Sequence, residues 1–239
     1  MKQAGGVLLV LLSAGALAQS PGDAEIPPVT YPEIAREAAT LEGFVPKTWK
    51  LEATAKGDLN GDKRADAALV LRMADAANLI RKDWDASQTY DSNPRMLVVA
   101  FGRPGGGYAL AAADHALIPR LENQNQEDPF DEIAIAKGTL KVTMHLFMDA
   151  GGWRMGGSAY TLRWQDGGFK LIGFDRDSVM RNSGETEEVS INYLTGRKQL
   201  KSGNVGSEKQ LERTLKLPKK PLLDLAEIGD GLMFDPDEH

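Results

Sequence analysis

The 239-residue chain contains no cysteine. That excludes a disulfide framework and a thiolate nucleophile, so stability has to come from a packed core, hydrogen bonding or a bound cation. Histidine is nearly as scarce, with only His115, His145 and His239. No His-x-x-x-His pair exists, which argues against a zinc hydrolase. A G-x-S-x-G elbow is missing too, and the one glycine cluster, PGGG at 104–107, runs into a strand pattern rather than a phosphate-binding helix. Positive charge is also short: 28 Lys+Arg stand against 34 Asp+Glu, a net charge of −6. A surface of that sign offers no electrostatic reason to bind nucleic acid or anionic lipid.

Long apolar runs are confined to the N-terminus. Lys2 precedes VLLVLLSAGALA, which closes on the small-residue pattern Ala16-Leu17-Ala18. The run is too short to span a bilayer and matches a cleavable signal peptide over residues 1–18. The expectation is a periplasmic protein, exported without a membrane anchor. Residues 19–30 (QSPGDAEIPPVT) are Pro-rich and polar, a linker. A single β-rich domain is expected over 31–217, followed by an acidic tail, 218–239, that begins with a short helix and ends as a mobile terminus.

What is present is a period-two pattern. Tyr31 to Leu41 predicts a short N-terminal helix, with Thr30 as its cap, Pro32 in its first turn and Ile34, Ala35, Ala38 and Leu41 at helical spacing. From Trp49 onward alternation takes over. Four hairpins follow: 96–103 with 108–114, 132–136 with 139–147, 158–165 with 169–175, and 187–194 with 197–202. Their turns carry Gly107, Gly138, Gly168 and Gly196, at regular spacing, where glycine supplies the positive φ of a tight turn. Residues 115–131 and 203–208 read as polar, irregular loops. The fold class is mainly β, with antiparallel hairpin repeats forming either a propeller-like ring or a sandwich.

The densest polar stretch is GDLNGDKRAD, residues 57–66. Counted from Asp58, side-chain oxygens fall at positions 1, 3, 5 and 9, on Asp58, Asn60, Asp62 and Asp66, and the Arg64 carbonyl adds a main-chain donor at position 7. Hard oxygen ligands at alternating positions of a tight turn suit Ca²⁺, and without a cation the crowded carboxylates would repel one another. Position 12 is Leu69, inside a strand, so this is no EF-hand. Position 6 is Lys63, where a glycine would take a left-handed conformation without cost.

Two further stretches carry candidate chemistry. The loop DAGGWRMGGSAY (149–160) places Trp153, Arg154 and Met155 between glycines, residue types that anchor protein interfaces. The other reading of Trp153 is a ring folded back over the sheet edge. In GETEEVS, Glu185 and Glu187 share one face of a strand, as the paired carboxylates of a glycosidase do. Acids are equally at home at the solvated start of a strand. This leaves a cell-wall or carbohydrate-processing enzyme, or a structural envelope protein, as alternatives to a binding protein.

The calcium-type loop resembles the D-x-[DN]-x-D-G-x-x-D loop of FG-GAP/VCBS-type β-propeller repeats, in which a strand follows directly. Together with NPRMLVVAF, GGWRMGGSAYTLRWQDGGFKLIGFDRD and SGETEEVSINYLTGRK, it makes residues 44–200 similar to uncharacterised exported bacterial proteins. The chain also resembles periplasmic β-propeller-like immunity proteins that neutralise lysozyme-like peptidoglycan hydrolases. Periplasmic lysozyme inhibitors show S-G-x-x-Y, against Gly156-Gly157-Ser158-Ala159-Tyr160 here: Gly157 and Tyr160 match, and Ser158 is displaced. The resemblance implies bound Ca²⁺, a peptidoglycan hydrolase as partner, no catalytic activity, and Trp153, Arg154, Ser158 and Tyr160 as the contact residues.

Overall fold

The computed structural model describes residues 26–238. The signal peptide expected over residues 1–18 lies outside the described residues. Fourteen strands form three antiparallel sheets, with almost no helix among the described residues.

The first sheet has five strands: β1 (Glu37–Ala38), β2 (Trp49–Gly57), β3 (Asp66–Met73), β6 (Arg95–Gly102) and β7 (Tyr108–Asp114), in the order β1-β7-β6-β3-β2. β3 and β6 are nearly continuous apolar runs because both of their faces are covered. Ala67, Leu69 and Leu71 of β3, with Met96 and Val98 of β6, pack outward against Leu41, Phe44 and Trp49. Ala68, Val70, Leu97 and Val99 point the other way, into the main core.

The second sheet is a seven-stranded meander in strict chain order. It comprises β8 (Phe130–Ala136), β9 (Thr139–Leu146), β10 (Arg154–Gln165), β11 (Gly168–Met180), β12 (Glu185–Asn192), β13 (Arg197–Asn204) and β14 (Ser207–Lys216). Leu140, Val142, Met144, Tyr160, Leu162, Phe174, Val189 and Ile191 supply its half of the main core, so the two sheets share one apolar interior. At one edge β8 comes up against β2 so closely that a Cβ on Gly57 would lie 2.4 Å from Ile135 Cγ2. A third, two-stranded sheet pairs β4 (Leu79–Lys82) with β5 (Asp85–Asp91).

All four predicted hairpins form, and three of them lie in succession in the seven-stranded sheet. In two turns both central residues have positive φ: Lys137 (52°) with Gly138 (74°), and Asp166 (52°) with Gly167 (77°). These are type I′ geometries, matched to the twist of the flanking strands. The glycine that takes positive φ in the β10–β11 turn is therefore Gly167; the expected Gly168 is the first residue of β11.

Three expectations need correction. The predicted helix at 31–41 is extended: Glu37 and Ala38 pair with β7, and Leu110 donates its N–H to the Arg36 carbonyl at 2.8 Å. An isolated helix of that length is marginal, whereas the free edge of β7 satisfies the same backbone while Tyr31, Ile34 and Ala38 cover the outer face of the sheet. A single 3₁₀ turn, Leu41–Phe44, follows it. Residues 203–208 are mostly strand ends around a tight turn between β13 and a strand missed in sequence, β14. The C-terminal tail is part of the fold. Its helix α1 (Leu225–Ile228) is closed by a capping box between Asp224 and Glu227. Leu225, Ile228 and Phe234 enter the main core, and the Leu171 N–H reaches the Leu223 carbonyl at 2.9 Å. The polar loop expected over 115–131 is irregular up to Phe130, where β8 begins, yet Leu117, Ile118 and Leu121 are buried. Arg120 ties it down through Ser92 O (2.6 Å), Asn78 Oδ1 (2.8 Å) and Pro27 O (2.8 Å).

Candidate functional site

The acidic loop connects β2 to β3, and its carboxylates are organised by backbone amides. Asp58 accepts from the N–H groups of Gly61 (2.7 Å) and Lys63 (2.8 Å). The Lys63 amide, ahead of the others, holds the Asp58 carboxyl below the usual range. Asn60 Oδ1 accepts from Asp62 N–H at 3.0 Å, and Asp62 Oδ1 from Arg64 N–H at 2.8 Å. The Arg64 guanidinium pairs with the other Asp62 oxygen. Lys63 has φ of 66°, the left-handed conformation that a glycine would adopt freely. The bond from its own N–H to Asp58 offsets that cost.

Asp66 has a different occupation. It is fully buried, accepting from Leu59 N–H (2.8 Å) and Gly102 N–H (2.9 Å), so it pins the loop to the end of β6. Among the described residues, no three His, Cys, Asp or Glu side chains gather as a metal site. In kind, the donors of Asp58, Asn60 and Asp62 and the Arg64 carbonyl fit a hard cation such as Ca²⁺. Asp66, fully buried where Asp58 and Asp62 stay partly exposed, serves as the loop's anchor.

The segment at 147–160 divides into an exposed head and a buried stem. Trp153 is 60% exposed. Its carbonyl accepts from Arg181 N–H at 2.8 Å, and the Arg181 guanidinium bonds the carbonyls of Met148 and Gly152, lying over the Phe147 ring at 4.7 Å. Arg181 is a residue the sequence reading missed; its only signal was a cation just after a strand, at the head of the turn RNSG. Arg154 and Met155 open β10, with Arg154 exposed.

Tyr160 and Ser158 depart from the expected contact role. Tyr160 is fully buried; its hydroxyl donates to Gly231 O at 2.6 Å, and its ring packs on Phe174 and Phe234 at 5.1 and 5.6 Å between centroids. Burial drives its pKa well up. Ser158 is buried on the same face. Period two explains both: Ser158 and Tyr160 alternate with outward Ala159 and Thr161 and so face the core.

One juxtaposition was not visible in sequence. A cavity of about 480 Å³, on the core-side face but beyond the core, is lined by Arg154, Ser178, Met180, Glu185, Glu187 and Ser202. Strand register creates it: Arg154 sits opposite Met180, and Ser178 opposite Glu187, which in turn faces Ser202. Glu187 pairs with Arg176 at 3.4 Å, and Glu185 accepts from Ser183 Oγ at 3.1 Å. Both glutamates are exposed. A second, smaller cavity shares Arg154 and Ser178 with it and reaches Gly231 and Leu232. His145 and Glu127 approach to 3.6 Å elsewhere on the surface.

No helix of the described residues is long and apolar enough to cross a membrane. No family model, curated protein or solved structure matches the chain.

Proposed function

We propose that this is an exported, non-enzymatic binding protein that inhibits a lysozyme-like peptidoglycan hydrolase in the periplasm, in the manner of an immunity protein. The observation that carries it is Trp153: a large aromatic, more than half exposed, on a loop held by three Arg181 contacts and flanked by exposed Arg154. A fixed Trp–Arg pair binds a partner without the entropy cost of ordering a free loop. Trp153 and Arg154 would enter the hydrolase cleft, while Tyr160 and Ser158 support the strand behind them. The fold reading that goes with this is a sandwich-like pairing of the two larger sheets, supported by their common interior, rather than a propeller-like ring. A peptidoglycan-lysis assay across a panel of lysozymes tests the proposal. Saturating protein should suppress lysis, and Trp153→Ala should restore it; full lysis at saturation with every lysozyme would overturn it.

Ca²⁺ at Asp58, Asn60, Asp62 and the Arg64 carbonyl belongs to the same proposal, as a stabiliser of the β2–β3 turn. At calcium 100-fold above its dissociation constant the gain is about 2.7 kcal/mol. Added Ca²⁺ should raise the Tm of the wild type but not of Asp62→Ala. Asp66→Ala should lower Tm with or without calcium, since it strands the buried Leu59 amide and the part-buried Gly102 amide. An equal calcium response in wild type and Asp62→Ala would reject the site.

The cavity holding Glu185 and Glu187 beside Arg154 favours one second reading, a carbohydrate-processing activity. Turnover of a cell-wall glycan that is lost in Glu185→Gln would support it and displace the inhibitor reading.

A further inference from the structure

The seven-stranded sheet ends on one side at β14, and every one of its ten residues is exposed. The opposite edge, β8, is closed off against β2. β14 therefore presents an open row of backbone donors and acceptors, unbroken by proline over Ser207–Lys216. On its core-side face Leu211 (52% exposed) and Leu215 (45%) flank Arg213, opposite Ser202, Lys198 and Leu200 of β13. A long, exposed, partly apolar edge is a template for another strand.

We infer that this edge pairs with the same edge of a second copy of the chain, two-fold and antiparallel, joining two seven-stranded sheets into one. The sequence of β14 selects both the occupant and the register. Antiparallel pairing about a two-fold axis perpendicular to the sheet places one residue opposite itself. Centring it on Glu208, Lys209, Glu212 or Arg213 sets that charge against its own copy. Centring on Gln210 opposes Glu208 with Glu212, and centring on Leu211 opposes Lys209 with Arg213. Centring on Thr214 opposes Thr214 with Thr214, Arg213 with Leu215, and Glu212 with Lys216, the last two pairs each occurring twice. Threonine pairs and opposite charges are favourable cross-strand neighbours, and like charges directly opposite are not. Of the registers centred from 208 to 215, only those on Thr214 and Leu215 have no facing like charges, and the Thr214 register pairs more of the strand and adds the two Glu212–Lys216 pairs. The inference is independent of the inhibitor reading, because β14 lies at the far side of the sheet from Trp153 and Arg154, three strands beyond β11.

Sedimentation of the full chain over a concentration series, with circular dichroism as the check on folding, tests it. The wild type should form dimers. Glu212→Lys sets Lys against Lys216 twice and should weaken the dimer about tenfold or more. Lys216→Glu should do the same by facing Glu212. The double variant Glu212→Lys with Lys216→Glu restores opposite charges and should regain wild-type association to within about threefold. Because all of these side chains are exposed, the monomer should keep its fold. A wild type that stays monomeric up to about 1 mM, or a double variant no tighter than the singles, would overturn the proposal.

Discussion

The five-stranded and seven-stranded sheets solve the same problem in opposite ways. β3 and β6 are sealed on both faces, by the main core on one side and by the N-terminal segment on the other. The seven-stranded sheet is sealed on one face only, and even that cover thins along it: Leu140, Leu162 and Phe174 of β9–β11 are fully buried, Val189 and Ile191 of β12 still belong to the main core, and β14 is exposed throughout. Strands buried on both faces are apolar except for the paired Asp66, Arg72 and Arg95 near their ends, and hold the stability. Strands that leave the core can carry charge, cavities and an open edge. All of the candidate functional surface, other than the acidic loop, lies on the second kind.

Substitutions can break or sharpen that contrast. The largest effect is expected at the start of β6, where Arg95 is buried between Glu52 (2.6 Å) and Asp128 (2.7 Å), with Arg72 alongside. Arg95→Met would leave the Glu52 and Asp128 carboxylates to Arg72 alone, costing about 3–5 kcal/mol in urea unfolding. Burial pushes the Asp128 carboxyl up, but the hydrogen bonds and charge of Arg95 outweigh it and hold it below the usual range. A depressed folded pKa stabilises above the unfolded value near 4 and is lost as pH falls through the folded value. Wild-type stability should therefore drop on the acid side of about pH 4, and Arg95→Met should flatten that limb. A steeper acid limb in the variant would contradict this account.

Next comes a paired truncation. Leu69→Ala, in a fully buried strand, should cost about 2–5 kcal/mol by cavity formation. The same change at Leu211 should stay within about 0.5 kcal/mol of wild type. Similar losses at the two sites, measured by chemical denaturation, would show that β14 is covered after all. The smallest effect is at the seam between stem and head of the Trp153 segment. Tyr160→Phe removes only the bond to Gly231 O and leaves that carbonyl without the hydroxyl, a loss of about 1–2 kcal/mol. Under the proposed inhibitor reading, suppression of lysis should survive it. Loss of inhibition with little loss of stability would return Tyr160 to the contact surface.

The four hairpins were readable in sequence because alternation and turn glycines are local signals, with the positive-φ position displaced by one residue at Gly167. The strands around the two-stranded sheet and β14 were not. SEKQLERTLK has no buried face, so it carries no apolar alternation to read. The acidic loop was visible through its spacing, and the left-handed Lys63 follows from the missing glycine. That Asp66 turns inward to two amides was not visible, because one of them belongs to Gly102, far along the chain. Tyr160 departs from its motif for the complementary reason: the match rests on its identity, while its parity with Leu162 points it inward.

Local chemistry therefore settled what needs only neighbours in sequence: a mainly β chain without disulfides, its hairpins, and an oxygen-rich turn between β2 and β3. Tertiary structure decided what depends on pairing across distance. Cross-strand register brought Arg154 to Glu185 and Glu187, the free edge of β7 turned a helical pattern into a strand, and the apolar residues of the acidic tail found a place in the core. Backbone groups and apolar side chains take the best partner the whole fold offers, and no window of sequence contains that partner.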